Sequence, residues 1–314
     1  MPAFTATAPG KIILFGEHAV VYGRPAIAAP VGQVKARATV TADLRGEPGV
    51  VRIQAPDVGI EAILNELSPD QPLSAAVHGV LSELKIDRPL ACTVRVTSTI
   101  PLAAGMGSGA AVSVAILRAF SAFLGHPLPD ERVSALAYEV EKIHHGTPSG
   151  IDNTVITYAV PVYYVRGKPI QNLHVPQPFS IVIGNTGVAS PTAAAVGEVR
   201  QAWKAKKEHY EALFESAGAI VDSARQMIEA GAVETLGPLM DANHGILSKI
   251  GVSSPELDRL VAAARRAGAL GAKLSGAGRG GAMIALAPPN KAQAIAQALQ
   301  DAGATSTIVT RVGS

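Results

Sequence analysis

A small set of charged and hydroxyl side chains sits where a solvated surface would not place it. Lys11, Glu17 and His18 interrupt two very apolar stretches, Lys11-Ile-Ile-Leu-Phe15 and Ala19-Val-Val-Tyr22. Charges at a loop tip are usually just solvated; apolar neighbours on both sides favour a pocket lining here. Glu141 stands four residues after Ala137, at the margin of the apolar stripe of a helix, where a carboxylate can turn into a cleft, although a solvated helix glutamate is the commoner case. Asp152 follows Gly146-Thr-Pro-Ser-Gly150, a run dense in turn formers. Taken alone, such an aspartate is usually a cap or turn former.

Ser108 is the hydroxyl of the set, inside Pro101-Leu-Ala-Ala-Gly-Met-Gly-Ser-Gly-Ala-Ala111. In Ala91–Ile100 the apolar Cys92, Val94, Val96 and Ile100 alternate with Thr93, Arg95, Thr97 and Thr99, the period of a half-buried strand. After the loop, Ala111–Phe123 reads as a helix. Gly105, Gly107 and Gly109 therefore fall at a strand-to-helix handover. Glycine lets backbone N–H groups turn inward and a ligand come close, and a helix N-terminus adds free donors and partial positive charge. The arrangement suits a phosphate cradle, with Ser108 offering its hydroxyl to a phosphate or to Mg2+; a flexible turn is the alternative. Without a Lys-Ser/Thr after the glycines it is not a Walker A loop. It is not a protein-kinase lid, since the HRD and DFG signatures are missing. Ala110 stands where a dinucleotide fingerprint needs glycine.

These residues must be held by a sizeable core, which the composition supplies. The chain has 314 residues, 48% hydrophobic and 17% charged, enough for one large or two ordinary domains. A net charge of +2 gives no electrostatic case for a nucleic-acid or membrane partner. The single cysteine, Cys92, lies on a strand's apolar face and reads as core. No signal-peptide pattern and no apolar run of spanning length is seen, so a cytoplasmic location is expected.

In chain order, Phe4–Ala29 reads as strand, turn, strand, with Pro9-Gly10 as a turn and Ala19–Tyr22 within a strand. Helices are expected over Pro72–Ile86 and Pro129–His144, and the apolar run Val155–Val165 as a strand that Asp152 begins. Phe179–Gly184 is a strand, and Ala193–Ala230 a long helical region whose length suggests two helices or a break near Gly218. Helices over Ala232–Ile250 and Pro255–Ala267 precede a second glycine-rich loop within Gly271–Gly281. Strand, helix and strand then close the chain. The expected boundary lies near Gln177-Pro178, giving domains 1–178 and 179–314.

Three segments, Ala8-Pro-Gly-Lys-Ile-Ile-Leu-Phe-Gly-Glu-His-Ala19, Pro101–Ala111 and Lys273-Leu-Ser-Gly-Ala-Gly-Arg-Gly-Gly281, resemble in sequence and order the three motifs of the galactokinase/homoserine kinase/mevalonate kinase/phosphomevalonate kinase (GHMP) superfamily. The first motif, and Gly146-Thr-Pro-Ser-Gly-Ile-Asp152, look closest to its mevalonate kinase branch. The resemblance implies an α+β fold in two domains, an N-terminal ribosomal-S5-domain-2-like half and a C-terminal ferredoxin-like half, with the site between them. It implies transfer of the ATP γ-phosphoryl group to the 5-hydroxyl of mevalonate.

On that resemblance Asp152 would accept the hydroxyl proton and Lys11 would counter the developing charge. Pro101, Ala104, Gly105, Met106, Gly107, Ser108, Gly109 and Ala110 would bind ATP, and Ser108 and Glu141 would hold Mg2+. Ser275, Gly276 and Gly278 of the second loop would support the first loop or the phosphates; a side chain at Gly278 is expected to block backbone approach while leaving the protein folded. Glu17, His18 and Thr192 would contact mevalonate. A homodimer is the expected assembly. The chain departs from the pattern in two places: Gly109 follows Ser108 where many relatives carry a second serine, and Arg279 replaces a common glycine and is expected to face solvent. The competing readings are another kinase of the superfamily, such as a phosphomevalonate kinase or mevalonate 3-kinase, and an inactive ligand-binding regulator. A phosphorylated acceptor should demand more cations than the Glu17-His18 pair offers, and an inactive relative should have lost Lys11, Glu141 or Asp152.

Overall fold

A computed structural model describes residues 3–145, 148–190 and 192–313; of the Gly146–Gly150 turn, Gly146 and Thr147 lie outside the described residues. The chain divides into two units that interleave along the sequence. The first takes residues up to Gly10, Val34–Pro101 and Gly107–Ala159; the second takes Lys11–Gln33, Leu102–Met106 and the chain from Val160 onward.

Two long strands run through both units, β1 (Ala3–Phe15) and β2 (Ala26–Ala42), and they pair with each other. The expected turn at Pro9-Gly10 is absent, and β1 continues through it. A proline is tolerated in a strand where its missing N–H faces away from a ladder.

In the first unit β3 (Val51–Ala55), β4 (Ile60–Ile63), α1 (Pro72–Leu84), β5 (Cys92–Ser98), α2 (Ser108–Phe123), α3 (Asp130–His145) and α4 (Ile151–Tyr158) follow in order. The sheet runs β4-β3-β5-β2, with β3 and β5 parallel and the other pairs antiparallel. The period-2 pattern of β5 buries Cys92, Val94 and Val96. Burial pushes the Cys92 thiol up to about 12, so it is a core residue and no nucleophile. Gln71 caps α1 by accepting from the Ser74 N–H at 3.0 Å, and Pro72 opens that helix. The expected strand after Asp152 is instead α4. Ile151, Val155 and Ile156 recur at helical spacing and are buried, so packing overrides the β-branched composition. Asn153 fastens α4 to α3 by donating to the Ser134 carbonyl at 3.1 Å and to its hydroxyl at 2.9 Å.

In the second unit Ala19–Tyr22 is a turn of 3-10 helix rather than strand, closed by Gly23 in the left-handed region. Then come β6 (Val162–Tyr164), β7 (Gln171–Asn172), β8 (Phe179–Asn185), α5 (Thr192–Ala205), α6 (Lys207–Glu229), α7 (Leu236–Ile250), α8 (Pro255–Arg266), β9 (Gly271–Ser275), β10 (Ala282–Ala287), α9 (Ala292–Asp301) and β11 (Ser306–Val312). An antiparallel sheet orders β11-β8-β10-β9. Phe214, Leu247, Leu260, Leu274, Met283 and Leu299 sit in its core. Ser254 and Pro255 start α8 as expected, the serine hydroxyl accepting from the Leu257 N–H at 3.3 Å. The long helical region is two helices, as one of its two readings has it, and they part at Lys206 rather than near Gly218. Gly218 is buried inside α6, and a Cβ there would meet Pro25 at 3.4 Å and Arg24 at 3.5 Å. A side chain of one carbon would sit there at ordinary contact distance, so this glycine neither breaks the helix nor is demanded by a clash. No helix among the described residues is long and apolar enough to cross a membrane.

Candidate active site

The first unit presents its candidates at two helix N-termini. Gly107, left-handed at φ 73°, turns the chain into α2, so Ser108 is the first helical residue, followed by the exposed Gly109 and the buried Ala110. Glu141, on α3, is buried, and its carboxylate lies against this turn: a Cβ on Gly109 would be 3.3 Å from Glu141 Oε1. The glycine that replaces a second serine therefore leaves the space the carboxylate occupies. Asp152 is half-buried in the first turn of α4, after Gly150 at φ 93°. A helix N-terminus favours a negative side chain at that place. Pro101 ends the first unit's approach to the loop and is half-buried.

The second unit holds Lys11, the middle of the first glycine loop and the whole of the second. Lys11 is buried on β1, and its backbone N–H donates to the Met106 carbonyl at 3.0 Å, tying the loop to the strand. Ser275, the last residue of β9, binds β1 twice over. Its hydroxyl accepts from the Ile13 N–H and donates to the Ile13 carbonyl, both at 3.0 Å. The two glycine-rich loops touch backbone to backbone: a Cβ on Gly276 would lie 3.2 Å from the Gly105 carbonyl oxygen, and one on Gly281 3.0 Å from that of Ala104. Of the two roles expected for the second loop, this geometry supplies the bracing of the first. Gly278 has a different reason for being glycine. At φ 78°, a Cβ would fall 2.0 Å from the Val252 carbonyl oxygen, and the Ser190 hydroxyl donates to the Gly278 carbonyl at 2.6 Å. Arg279 is exposed, as expected, and pairs with Glu198 of α5. Thr192 is half-buried at the start of α5.

The turn carrying Glu17 and His18 is built from unusual backbone. Gly16 (φ 93°) has no room for a side chain, since a Cβ would lie 2.5 Å from the Pro25 carbonyl oxygen, and His18 itself sits at φ 60°. His18 is 5% exposed, and its Nε2 donates to the Ala277 carbonyl at 2.9 Å. Burial lowers its pKa to about 4, against that hydrogen bond and with Arg279 adding to the fall. The ring is therefore neutral near pH 7, with Nδ1 left as an acceptor. The cation that the sequence suggested at this position is not there. Glu17 is also buried, and its Oε1 accepts from the ammonium of Lys273. Lys273 opens the third motif, and the sequence alone assigns it no role. The signal was present: a lysine in the otherwise apolar Gly271–Ser275, and a glutamate between apolar stretches.

Because the folded His18 pKa lies below its unfolded value of about 6.5, the unfolded chain binds the proton first on acidification. The stability that neutral His18 contributes is complete above pH 6.5 and is lost as pH falls toward 4. Between pH 7 and pH 4.5 the wild type should lose about 2–3 kcal/mol more than His18→Gln in urea unfolding. Parallel losses in both proteins would show that His18 does not titrate there.

Comparison with known proteins gives the family. Residues 73–159 match the model of the GHMP kinases N terminal domain, and residues 223–305 that of the GHMP kinases C terminal domain. A mevalonate kinase of Thermococcus gammatolerans is 39% identical, covering 96% of this chain and 94% of its own. One of Pyrococcus horikoshii is 38% identical over 98% and 95%. The crystal structure of L. major mevalonate kinase in complex with R-mevalonate superposes with a TM-score of 0.83 at 31% identity, over 98% of this chain and 95% of that one.

Proposed function

The chain belongs to the GHMP kinases, and from that premise we propose that it transfers the γ-phosphoryl group of ATP to the 5-hydroxyl of mevalonate, giving 5-phosphomevalonate and ADP. The observation that carries this reading is the near full-length likeness to mevalonate kinases, in a chain that has Lys11 buried on β1, Glu141 beside the start of α2 and Asp152 in the first turn of α4.

Phosphoryl transfer asks a protein mainly for positioning and charge neutralisation. Asp152 accepts the proton of the acceptor hydroxyl as its oxygen attacks the γ-phosphorus. Lys11, fixed on a buried strand, offsets the negative charge that develops on the acceptor oxygen. The N–H groups of Gly107 to Ala110 at the start of α2 receive phosphate oxygens. The pairing of one carboxylate, Glu141, with one hydroxyl, Ser108, at that same helix start fits Mg2+, which takes few protein oxygens and completes its shell with phosphate and water. Among the described residues no cluster of three histidine, cysteine or acidic side chains offers a metal cage instead. When bound, the ion neutralises charge on the phosphates.

Glu17, His18 and Thr192 face the acceptor in this reading. With His18 neutral and Lys273 engaged by Glu17, this turn offers no free cation for a second phosphate, which favours mevalonate over phosphomevalonate. An ADP-release assay over mevalonate, phosphomevalonate, homoserine, galactose and shikimate tests it. Mevalonate should give the highest kcat/KM by at least about a hundredfold, the scale on which unpaired buried polar groups reject a wrong substrate. A higher value for phosphomevalonate or a sugar would overturn the assignment.

A further inference from the structure

Strand β9 alternates between two jobs. Ala272 and Leu274 point into the second unit's core, which leaves Lys273 and Ser275 on the opposite face. Ser275 grips the Ile13 backbone, and Lys273, with no solvent exposure, reaches Glu17. The Lys273 ammonium divides its donors between Glu17 Oε1 and the Leu274 carbonyl at 2.6 Å. The other carboxylate oxygen, Glu17 Oε2, is buried with no hydrogen-bond partner among the described residues. Buried carboxylate oxygens are costly to leave unpaired, so such an atom asks for an explanation. The turn cannot relax to satisfy it, because Gly16 is packed against Pro25 and His18 is tied to Ala277.

We propose that Lys273 is a positioning residue for the acceptor: its buried ion pair holds Glu17 ionised and oriented, so that Oε2 stays open to accept a hydrogen bond from a hydroxyl of the substrate alcohol. The inference rests on the assignment of Glu17 to the acceptor side. The charged and titratable groups around Glu17 are Lys273 of β9, Lys11 of β1 and the neighbouring His18; His244 of α7 faces Lys273 and accepts the Leu274 N–H at 3.3 Å. Burial alone pushes the Glu17 carboxyl up, and Lys273 is the main influence opposing it. Without Lys273, Glu17 should take up a proton, and Oε2 or its partner oxygen would become a donor.

The test uses Lys273→Met, Glu17→Gln and the double variant, with KM measured for mevalonate and for ATP from pH 6.5 to 9 and melting followed in parallel. Lys273→Met should raise KM for mevalonate at least tenfold at pH 7, leave KM for ATP within twofold, and recover toward the wild-type value as pH rises and Glu17 ionises. Glu17→Gln should show the same increase without recovery at high pH, and the double variant should match it. The double variant carries no buried charge at this pair, so it serves if Lys273→Met fails to fold. A Lys273→Met enzyme with KM for mevalonate within twofold of wild type, or with both KM values raised alike and no pH recovery, overturns the proposal. So does a double variant with wild-type KM. If Glu17→Gln raises KM and Lys273→Met does not, the positioning role falls and the acceptor assignment stands; if neither variant moves it, the acceptor assignment of Glu17 falls as well.

Discussion

Asp152→Asn should lower kcat by about 10²–10⁴, the usual range for loss of a general base, while ATP affinity stays nearly constant. The residue sits in the first turn of α4, whose neighbour Asn153 anchors that helix to α3. Asparagine matches its size and can still cap a helix start. What it gives up structurally is the favourable charge at the N-terminus, worth about 0.3–1 kcal/mol. A purely structural Asp152 would therefore show a small drop in melting temperature and near-normal turnover. A catalytic one would show the reverse. Melting temperature, nucleotide affinity and single-turnover rate on one preparation separate the two. A folded Asp152→Asn protein whose single-turnover rate stays within about tenfold of wild type removes the base role.

Gly278→Val should cost at least about 3 kcal/mol of stability as well as activity, combining a strained left-handed backbone with a severe clash. The added Cβ would sit 2.0 Å from the Val252 carbonyl oxygen, and backbone on that side is pinned, because the Arg279 N–H donates to the same carbonyl at 2.7 Å. The sequence alone suggests that a side chain here obstructs only a ligand and leaves the protein folded. The structure assigns the missing side chain to packing against residue 252. Urea unfolding with an activity assay checks this. A Gly278→Val protein within about 1 kcal/mol of wild type, the ordinary scale of surface changes and mild defects, would show that the loop can move away from Val252.

Local chemistry was legible in the sequence wherever one short segment carries both the functional group and the backbone that aims it. The strand-to-helix handover at Gly105–Gly109, the helix bearing Glu141 and the Ser254-Pro255 helix start all follow from residue type and spacing. Two kinds of feature did not follow. One is conformation decided by packing: Ile151–Tyr158 has the β-branched content of a strand, and only burial against α3 and its neighbours makes it helical. The other is pairing across sequence distance. Glu17 and Lys273 each look out of place in apolar company, but nothing local says that they meet. His18 likewise reads as a cation until its burial and its bond to Ala277 are known.

The pair of hydrogen bonds between Ser275 and Ile13 also bears on the order in which the chain can fold. These residues are separated by 262 positions, and the apolar segment Lys11–Gln33 belongs to a unit whose remainder comes almost entirely from Val160 onward. During synthesis at roughly 5–20 residues per second, β1's partner on β9 leaves the ribosome roughly 15–50 s after Ile13 does. For that interval Lys11–Phe15 is an unsatisfied edge with a hydrophobic sequence, the kind of segment that chaperones recognise and that aggregates when left alone. The second unit cannot close before β9 has been made, so its formation is a non-local and correspondingly slow event.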